Sequence, residues 1–401
     1  MAPTGVDPVT FRFSEEKSKR PVITAVAGSG KTRHIVNEVD RKIQDGVSPS
    51  RVLVVSLTNA TVEHFESVCE HRVEVRTLHS AVASVLASVG YSWGDIPPEV
   101  AQVWGARDAL VSLRMPTSAA VVEQALMIES RANSRLMGPS EWGEDDDYPP
   151  MLPFSSEVVP AFLERSLIYR QRLGGVSYDD LLWLAIAAEP PEQWDVIFVD
   201  EAQDLGGLAL AVLDHWALEA EVLFVGDPAQ SIYGFAGASG EWMNEGLPVG
   251  ELPTCWRSTR QIVEVANFLR DDGMKAISGV GDGPVPKVVT HESSAAQRTF
   301  VAALDGQRLY RRNLSVRSLH DATIHVAKGA EWDAVHVMDA ASGVLPSSYA
   351  LTEAQQREER RLFYVAVTRA RRELYFHRVR GSDTPYIDEL LDAGLVEEFC
   401  E

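Results

Sequence analysis

Long apolar runs are missing from this 401-residue chain. The longest apolar runs, such as LLWLAIAA (Leu181–Ala188), fall far short of a bilayer span, so no membrane partner is expected. The opening MAPTGVDPVTFRFSEEKSKR has no apolar core of a secretory signal. Cysteine is scarce too: Cys69, Cys255 and Cys400 form neither a metal-ligand spacing nor an even disulfide framework. A reducing cytoplasm is the expected location. Basic charge is in short supply, since 37 Lys and Arg against 58 Asp and Glu leave a net charge of −21. That argues against a protein coated in positive charge for non-specific nucleic-acid binding, although local charge in a groove can still serve one. Part of the acidity gathers in EWGEDDDYPP (Glu141–Pro150) and in the tail after Arg380, both read as solvated segments.

What is present suits a soluble α/β protein. With 45% hydrophobic and 24% charged residues the chain can bury a large core and divide into two or three domains. Short β-branched runs (PVITAVAGSG, RVLVVSLTNA, WDVIFVDEAQD, EVLFVGDPAQ, DAVHVMDA, ELYFHRV) end in polar or glycine-rich residues. Continuous apolar strands separated by helical stretches predict parallel sheets covered on both faces, with ligands at the carboxyl ends of the strands. Between Ser80 and Val176 alanine-rich, helix-period segments such as SAVASVLASV and SAAVVEQALMIESRANSRL take over. The expected division is therefore a first α/β domain in two pieces, 1–80 and 177–247, interrupted by a helical insertion over 81–176. A second α/β domain covers 248–401, reached through the Gly/Pro-rich stretch Gly237–Pro253.

AVAGSGKT (Ala25–Thr32) follows the strand PVIT and precedes RHIVNEVDRKI, which sets Ile35, Val36, Val39 and Ile43 on one helical face. Strand, glycine-rich loop, Lys-Thr and helix are the context of a phosphate-binding P-loop. Gly28 and Gly30 let the backbone from Ala27 through Ser29 wrap a phosphate at a helix N-terminus. Lys31 is expected to reach the β- and γ-phosphates of ATP, and the Thr32 hydroxyl to ligate Mg²⁺. VIFVDEAQD supplies the second carboxylate strand: Asp200 for the metal's water shell and Glu201 as the base that deprotonates the attacking water.

These blocks, with the loop LFVGDPAQSIYGFAGA (Leu223–Ala238), resemble the UvrD/Rep/PcrA-like helicases of superfamily one, and the match runs in order from Ala25 to Arg371. The resemblance implies two RecA-like parallel-sheet domains with a helical insertion in the first. SLTNATVEHF and RTLHS are similar to the early DNA-contacting motifs and nominate Thr58, Asn59, Thr77, His79 and Ser80. SYDDLL (Ser177–Leu182) resembles the segment that returns the chain to the first domain. LPTCWRST carries Trp256, at the position of a Tyr that packs on the base, and Arg257, the counterpart of an arginine on the γ-phosphate. TIHVAKGAEWDAVHV nominates Thr323 and His325 for DNA, Gly329 and Glu331 for nucleotide, and Lys328. LFYVAVTRARREL nominates Tyr364, Thr368 and Arg369.

Elementary chemistry bears on the same residues. Thr352 with Gln355 forms a capping box predicted to open a helix over EAQQREERRLFYVAVTRARR. Arg360, Arg361 and Arg372 read as solvated. Arg369 follows the apolar run FYVAV, where an unpaired charge is costly and an ATP phosphate would be its partner. An arginine so placed can contribute roughly a thousandfold to phosphoryl transfer. Gln230 lies five residues past a strand end, within reach of a γ-phosphate. Tyr233 and Phe235 follow on the same loop, where base stacking is worth about 1–3 kcal/mol in any sequence. The loop would connect nucleotide state to base grip.

Several positions depart from the family pattern. No glutamine stands some twenty residues before Lys31, where the chain reads DPVTFRFSEE. Trp256 replaces the Tyr, Leu57 a stacking Phe, and Ala236 an Arg. Only 65 residues separate Arg257 from Thr323, too few for the large insertion relatives carry in the second domain. The expected function is an ATP-dependent single-stranded DNA translocase or helicase, 3′→5′ by resemblance, acting as a monomer on tailed or forked DNA. The alternatives are a helicase subunit that needs a protein partner to unwind, and a nucleotide-gated DNA- or protein-binding module.

Overall fold

The computed structural model describes residues 20–399 except 57–58, 93, 135, 137–157, 312–317 and 319, and leaves undescribed the side chains of Asn59, Ala60 and Phe235. The chain divides into two compact units. The first comprises residues 1–22, 32–225 and 233–247, and the second 23–31, 226–232 and 248–401.

Six strands form the first sheet: β1 (Pro21–Ala25), β2 (Val52–Ser56), β3 (Glu74–Thr77), β4 (Val196–Val199), β5 (Glu221–Gly226) and β6 (Leu247–Leu252), in the order β3-β2-β4-β5-β1-β6. The unit boundary passes through β1 after Val22 and through β6 after Leu247. The described pairings are parallel: β2 aligns Val54 with Val75 on one side and with Phe198 on the other. All residues of β2 and β4 are buried, because helices cover both faces and alternation has no reason to appear. Trp194, Trp216, Ile197 and Phe224 belong to the core of this unit.

Between Leu78 and Ala187 the described secondary structure is helical: Leu78–Ser88, Pro98–Ser112, Ala119–Ser134, Val159–Leu173 and Tyr178–Ala187. Thr77 caps the first by accepting from Ser80 N at 3.3 Å. Ser177 and Asp180 form a reciprocal capping box on the last, which satisfies two orphan amides at once. Leu110, Val122, Ile128 and Phe162 make a separate small core among the middle helices.

The second sheet belongs wholly to the second unit: β9 (Lys287–His291), β10 (Gln307–Tyr310), β11 (Asp321–Thr323), β12 (Trp332–Val337), β13 (Ala370–Val379) and β14 (Glu397–Glu398). Its order is β11-β10-β12-β13-β9-β14, again with parallel pairings. A two-stranded parallel piece, β7 (Thr254–Cys255) with β8 (Ile277–Ser278), precedes it. This is the α/β, two-sheet architecture expected from the sequence. Among the described residues no helix is long and apolar enough to cross a membrane.

Thr352 and Gln355 do form the capping box, and the helix runs Glu353–Val367. It stops short of the predicted end. Ala370–Val379 is strand instead, paired with β12 and β9, so sheet pairing overrides the helix propensity of the arginines. The 65 residues between Arg257 and Thr323 contain the helices Arg260–Leu269 and Ser294–Ala302 with strands β8 to β10 and most of β11.

Candidate functional site

The P-loop turns where two glycines permit it. Ser29 N donates to Val26 O at 3.2 Å, and Gly28 and Gly30 have φ of 71° and 81°, the left-handed region L side chains rarely adopt. Gly28 is constrained twice, because a Cβ there would lie 2.6 Å from Arg257 Cβ. Its carbonyl accepts from Trp256 N at 2.9 Å. Lys31 then opens the 14-residue helix Lys31–Gln44, anchored by the fully buried Ile35 and Val39. The Ser29 hydroxyl is buried with no hydrogen-bond partner. Glycine-shaped backbone at a helix N-terminus, a lysine and the unpaired Ser29 hydroxyl bring donors together, the chemistry that fits a polyphosphate.

Three arginine-centred contacts in the second unit gather the candidates nominated from distant segments. The guanidinium of Arg257 pairs with Glu331 through Nε and donates from Nη1 to Thr368 O at 3.0 Å. Arg371 Nε lies 3.4 Å from the same Glu331 carboxylate. Arg369 is 1% exposed and donates to Gln230 Oε1 at 2.8 Å, Val365 O at 3.0 Å and Thr368 Oγ1 at 3.1 Å. The Gln230 amide nitrogen donates in turn to Asp227 Oδ2 at 2.7 Å, and its backbone oxygen accepts from Lys328 Nζ at 2.6 Å. Beside the P-loop, Trp256 is 66% exposed and its ring lies so close to Gly279 that a Cβ there would stand 2.5 Å from it. Gly329 takes φ 86° in the loop after β11.

The first unit holds the carboxylates. Asp200, just past β4, is 2% exposed, and its Oδ2 accepts from Thr32 Oγ1 at 3.4 Å. Its Oδ1 accepts from Glu201 N at 2.9 Å. Glu201 is in left-handed backbone, φ 53°, and Gln203 Nε2 donates to its Oε2 at 2.6 Å. Strain of this kind costs about 1–3 kcal/mol and persists where surrounding structure fixes a side chain's aim.

The nucleic-acid candidates are more scattered. The Thr77 hydroxyl serves as a helix cap, while the exposed Ser80 accepts from Arg76 at 3.4 Å. His79 packs edge-on against Tyr178 with ring centroids 5.0 Å apart, its Nε2 is buried without a partner, and burial holds its imidazole below the usual range. Tyr233 is half-buried, and its phenol is pushed up by burial and by the charges of Asp204 and Glu201. The next residue's carbonyl, Gly234 O, accepts from Arg131 at 2.7 Å, and a Cβ on Gly237 would meet Ser134 at 2.4 Å. A hydrogen bond to Gly234 O and a glycine-permitted approach at Gly237, both from the helix Ala119–Ser134, thus hold the aromatic loop. Thr58, Leu57, the DPVTFRFSEE stretch, and the side chains of Asn59 and Phe235 lie outside the described residues. In the second unit Thr323 is buried, with its hydroxyl accepting from Val326 N at 3.3 Å. His325 is pushed down to about 4 by burial and by the cations Arg311 and Lys328.

Sequence reasoning missed Asp227, Arg270 and Asp272. Asp227 was visible only as a turn residue, and Arg270 is followed by two acids, the pattern of an exposed ion pair.

Two family models match the chain. Residues 13–236 match the AAA domain family, and residues 302–380 match the UvrD-like helicase C-terminal domain. The chain is similar to the ATP-dependent DNA helicase UvrD2 of Mycobacterium tuberculosis (strain ATCC 25618 / H37Rv), at 27% identity over 328 residues, covering 70% of this chain and 46% of that protein. Its identity to the ATP-dependent DNA helicase PcrA of Leuconostoc citreum is 26% over 279 residues, covering 61% and 36%. The matches thus span less than half the length of these curated relatives. Among solved structures, the Arterivirus nonstructural protein 10 helicase gives a TM-score of 0.41 at 16% identity, covering 90% of this chain and 59% of that one.

Proposed function

The chain belongs to the UvrD-like helicases of superfamily one, and from that premise we propose that it hydrolyses ATP to move along single-stranded DNA, 3′→5′. The observation that carries the reading is the packing of Arg257 against Gly28, which joins a glycine-turned phosphate loop to a cation within one unit.

The roles follow from the side chains. Backbone amides from Ala27 to Gly30 and the Lys31 ammonium bind the phosphates, and the unpaired Ser29 hydroxyl is a further donor. Thr32 and Asp200 would hold Mg²⁺, which when bound neutralises charge on the β- and γ-oxygens. Glu201 accepts a proton from the attacking water. Arg257, Arg369 and the amide of Gln230 face charge that develops as the phosphoryl group leaves. Glu331, Arg257's partner here, gives that arginine an alternative to phosphate, so nucleotide binding would exchange one anion for another. Trp256 offers an exposed ring to the base and tolerates any purine. Tyr233, Phe235, Thr58, Asn59, Thr77, His79, Ser80, Thr323 and His325 are the proposed DNA contacts.

The short span between Arg257 and Thr323 supports a further point. Without a large insertion there, and with a net charge of −21, the chain has little with which to grip a duplex. It would translocate alone and separate strands only with a protein partner.

The test is steady-state ATP hydrolysis with and without an oligo-dT strand. Turnover stimulated by the strand and absent from Lys31→Ala supports the reading. Unstimulated hydrolysis favours the nucleotide-gated module, and no hydrolysis rejects the motor.

A further inference from the structure

Arg270 ends the helix Arg260–Leu269 in the sequence NFLRDDGM, where the two acids beside it suggest a solvated ion pair. The fold buries it. Its side chain is 1% exposed and meets Asp227, which is fully buried, 43 positions earlier in the chain.

The hydrogen bonds around this pair have one consistent direction. Asp272 holds one edge of the guanidinium in a two-bond fork, through Nε at 3.0 Å and through Nη2. Nη1 is thereby aimed at Asp227 Oδ1, 2.9 Å away, and at the Tyr364 hydroxyl, 2.7 Å away. Because Tyr364 accepts from Arg270, its single proton is free to go to Asp227 Oδ2, at 3.1 Å. Asp227 Oδ1 also accepts from Ala229 N at 3.2 Å, and Oδ2 from Gln230 Nε2 at 2.7 Å. Both carboxylate oxygens are therefore fixed in place.

A carboxylate can only accept and a guanidinium can only donate. With Gln230 Nε2 committed to Asp227, its Oε1 must face Arg369, as it does at 2.8 Å. If Asp227 turned away, the amide could flip and set its NH₂ against the guanidinium, donor facing donor.

We propose that Arg270 and Tyr364 are positioning residues for the hydrolytic site, orienting Asp227 so that the Gln230 amide presents its oxygen to Arg369. This rests on the functional reading above, in which Gln230 and Arg369 act on ATP. Both would act through Asp227 and Gln230 rather than on the nucleotide itself. Arg270 is buried between two carboxylates, Asp227 and Asp272, and removing either partner would leave a buried charge poorly compensated.

The test compares kcat and KM for ATP, at saturating oligo-dT, in the full chain and in Tyr364→Phe, Gln230→Ala and the double variant. Tyr364→Phe removes one hydroxyl and keeps the ring. Arg270→Lys serves as a second probe, since Arg270→Met strands a buried carboxylate and can fail to fold. The expected result is a fall in kcat of about tenfold for Tyr364→Phe with KM within about twofold. In the Gln230→Ala background the same change should have no further effect, since no amide remains to orient. Arg270→Lys should resemble Tyr364→Phe, because an ammonium cannot hold Asp272 in a fork and reach two more acceptors. Effects that multiply in the double variant, an unchanged kcat, or a loss confined to KM overturn this inference alone. A parent chain without DNA-stimulated hydrolysis overturns the functional reading beneath it.

Discussion

A methyl group on Gly28 would stand 2.6 Å from Arg257 Cβ, nearer than two carbons approach without a bond. The phosphate loop and the motif bearing Arg257 are packed to the limit that glycine allows. Gly28 also has φ 71°, a conformation costing an alanine about 1–2 kcal/mol. Gly28→Ala should therefore lower the melting temperature and abolish the further rise that Mg-ATP gives the parent. Thermal melting with and without nucleotide checks both; an unchanged ligand-induced rise would show that the close packing is irrelevant to binding.

Lys31→Ala and Glu201→Gln should separate binding from chemistry. Losing the Lys31 ammonium should cost nucleotide affinity and turnover together. Glu201→Gln keeps the size of the side chain, the Gly28 turn and the Thr32–Asp200 pair but removes the proton acceptor. ATP affinity measured by calorimetry should survive while kcat drops by at least about a hundredfold. Near-parental turnover in Glu201→Gln would move the base elsewhere.

Phe235→Ala, and to a smaller degree Tyr233→Ala, should spare hydrolysis without DNA and cut its stimulation by single strands. The motive is the loop's own anchoring: Arg131 holds Gly234 O and Ser134 lies against Gly237, two contacts that neither substitution removes. Loss of stacking should raise the DNA concentration for half-stimulation by about fivefold to a hundredfold, about 1–3 kcal/mol. Equal loss of basal and stimulated rates would assign the rings to packing.

Local chemistry was legible in the sequence wherever its partners are close along the chain. The glycine turn before Lys31, the Asp200–Glu201 pair past β4, and the Thr352–Gln355 box all form within a few residues. The burial of Arg369 also followed from the apolar FYVAV before it. What could not be read was pairing at a distance. Gln230 meets Arg369 across 139 positions, and nothing in either segment specifies the partner. Arg270 misleads because adjacent acids normally mean solvent, whereas the fold uses Asp272 to aim it inward. The helix predicted through Arg372 ends at Val367 because Ala370–Val379 is claimed by its neighbours in the sheet. Strands β9 and β10 escaped notice for a related reason: KVVTH and QRLY are short and partly polar, and burial is decided by what covers them.

Stability should fall on the acid side through His325. Its folded value of about 4 lies below the unfolded value near 6.5. Between the two the unfolded chain binds a proton that the folded chain refuses, so stability declines as pH drops through this window. Above about 6.5 the ring is neutral in both states and contributes no pH dependence. His325→Asn cannot titrate and should lose about 2 kcal/mol less than the parent between pH 7 and pH 5, at about 1.4 kcal/mol per unit of pH. Urea denaturation at the two pH values checks this; parallel losses would mean that His325 is protonated in the folded chain.

The proposed activity comes down to directed movement along a single strand driven by ATP. Displacement of streptavidin from oligo-dT biotinylated at one end or the other tests it most directly. A 3′→5′ motor should accelerate release from the 5′ end in Mg-ATP, leave the 3′ end near its spontaneous rate, and lose the effect with Lys31→Ala. Release that is equal at both ends, or indifferent to ATP while DNA-stimulated hydrolysis is robust, would contradict the claim.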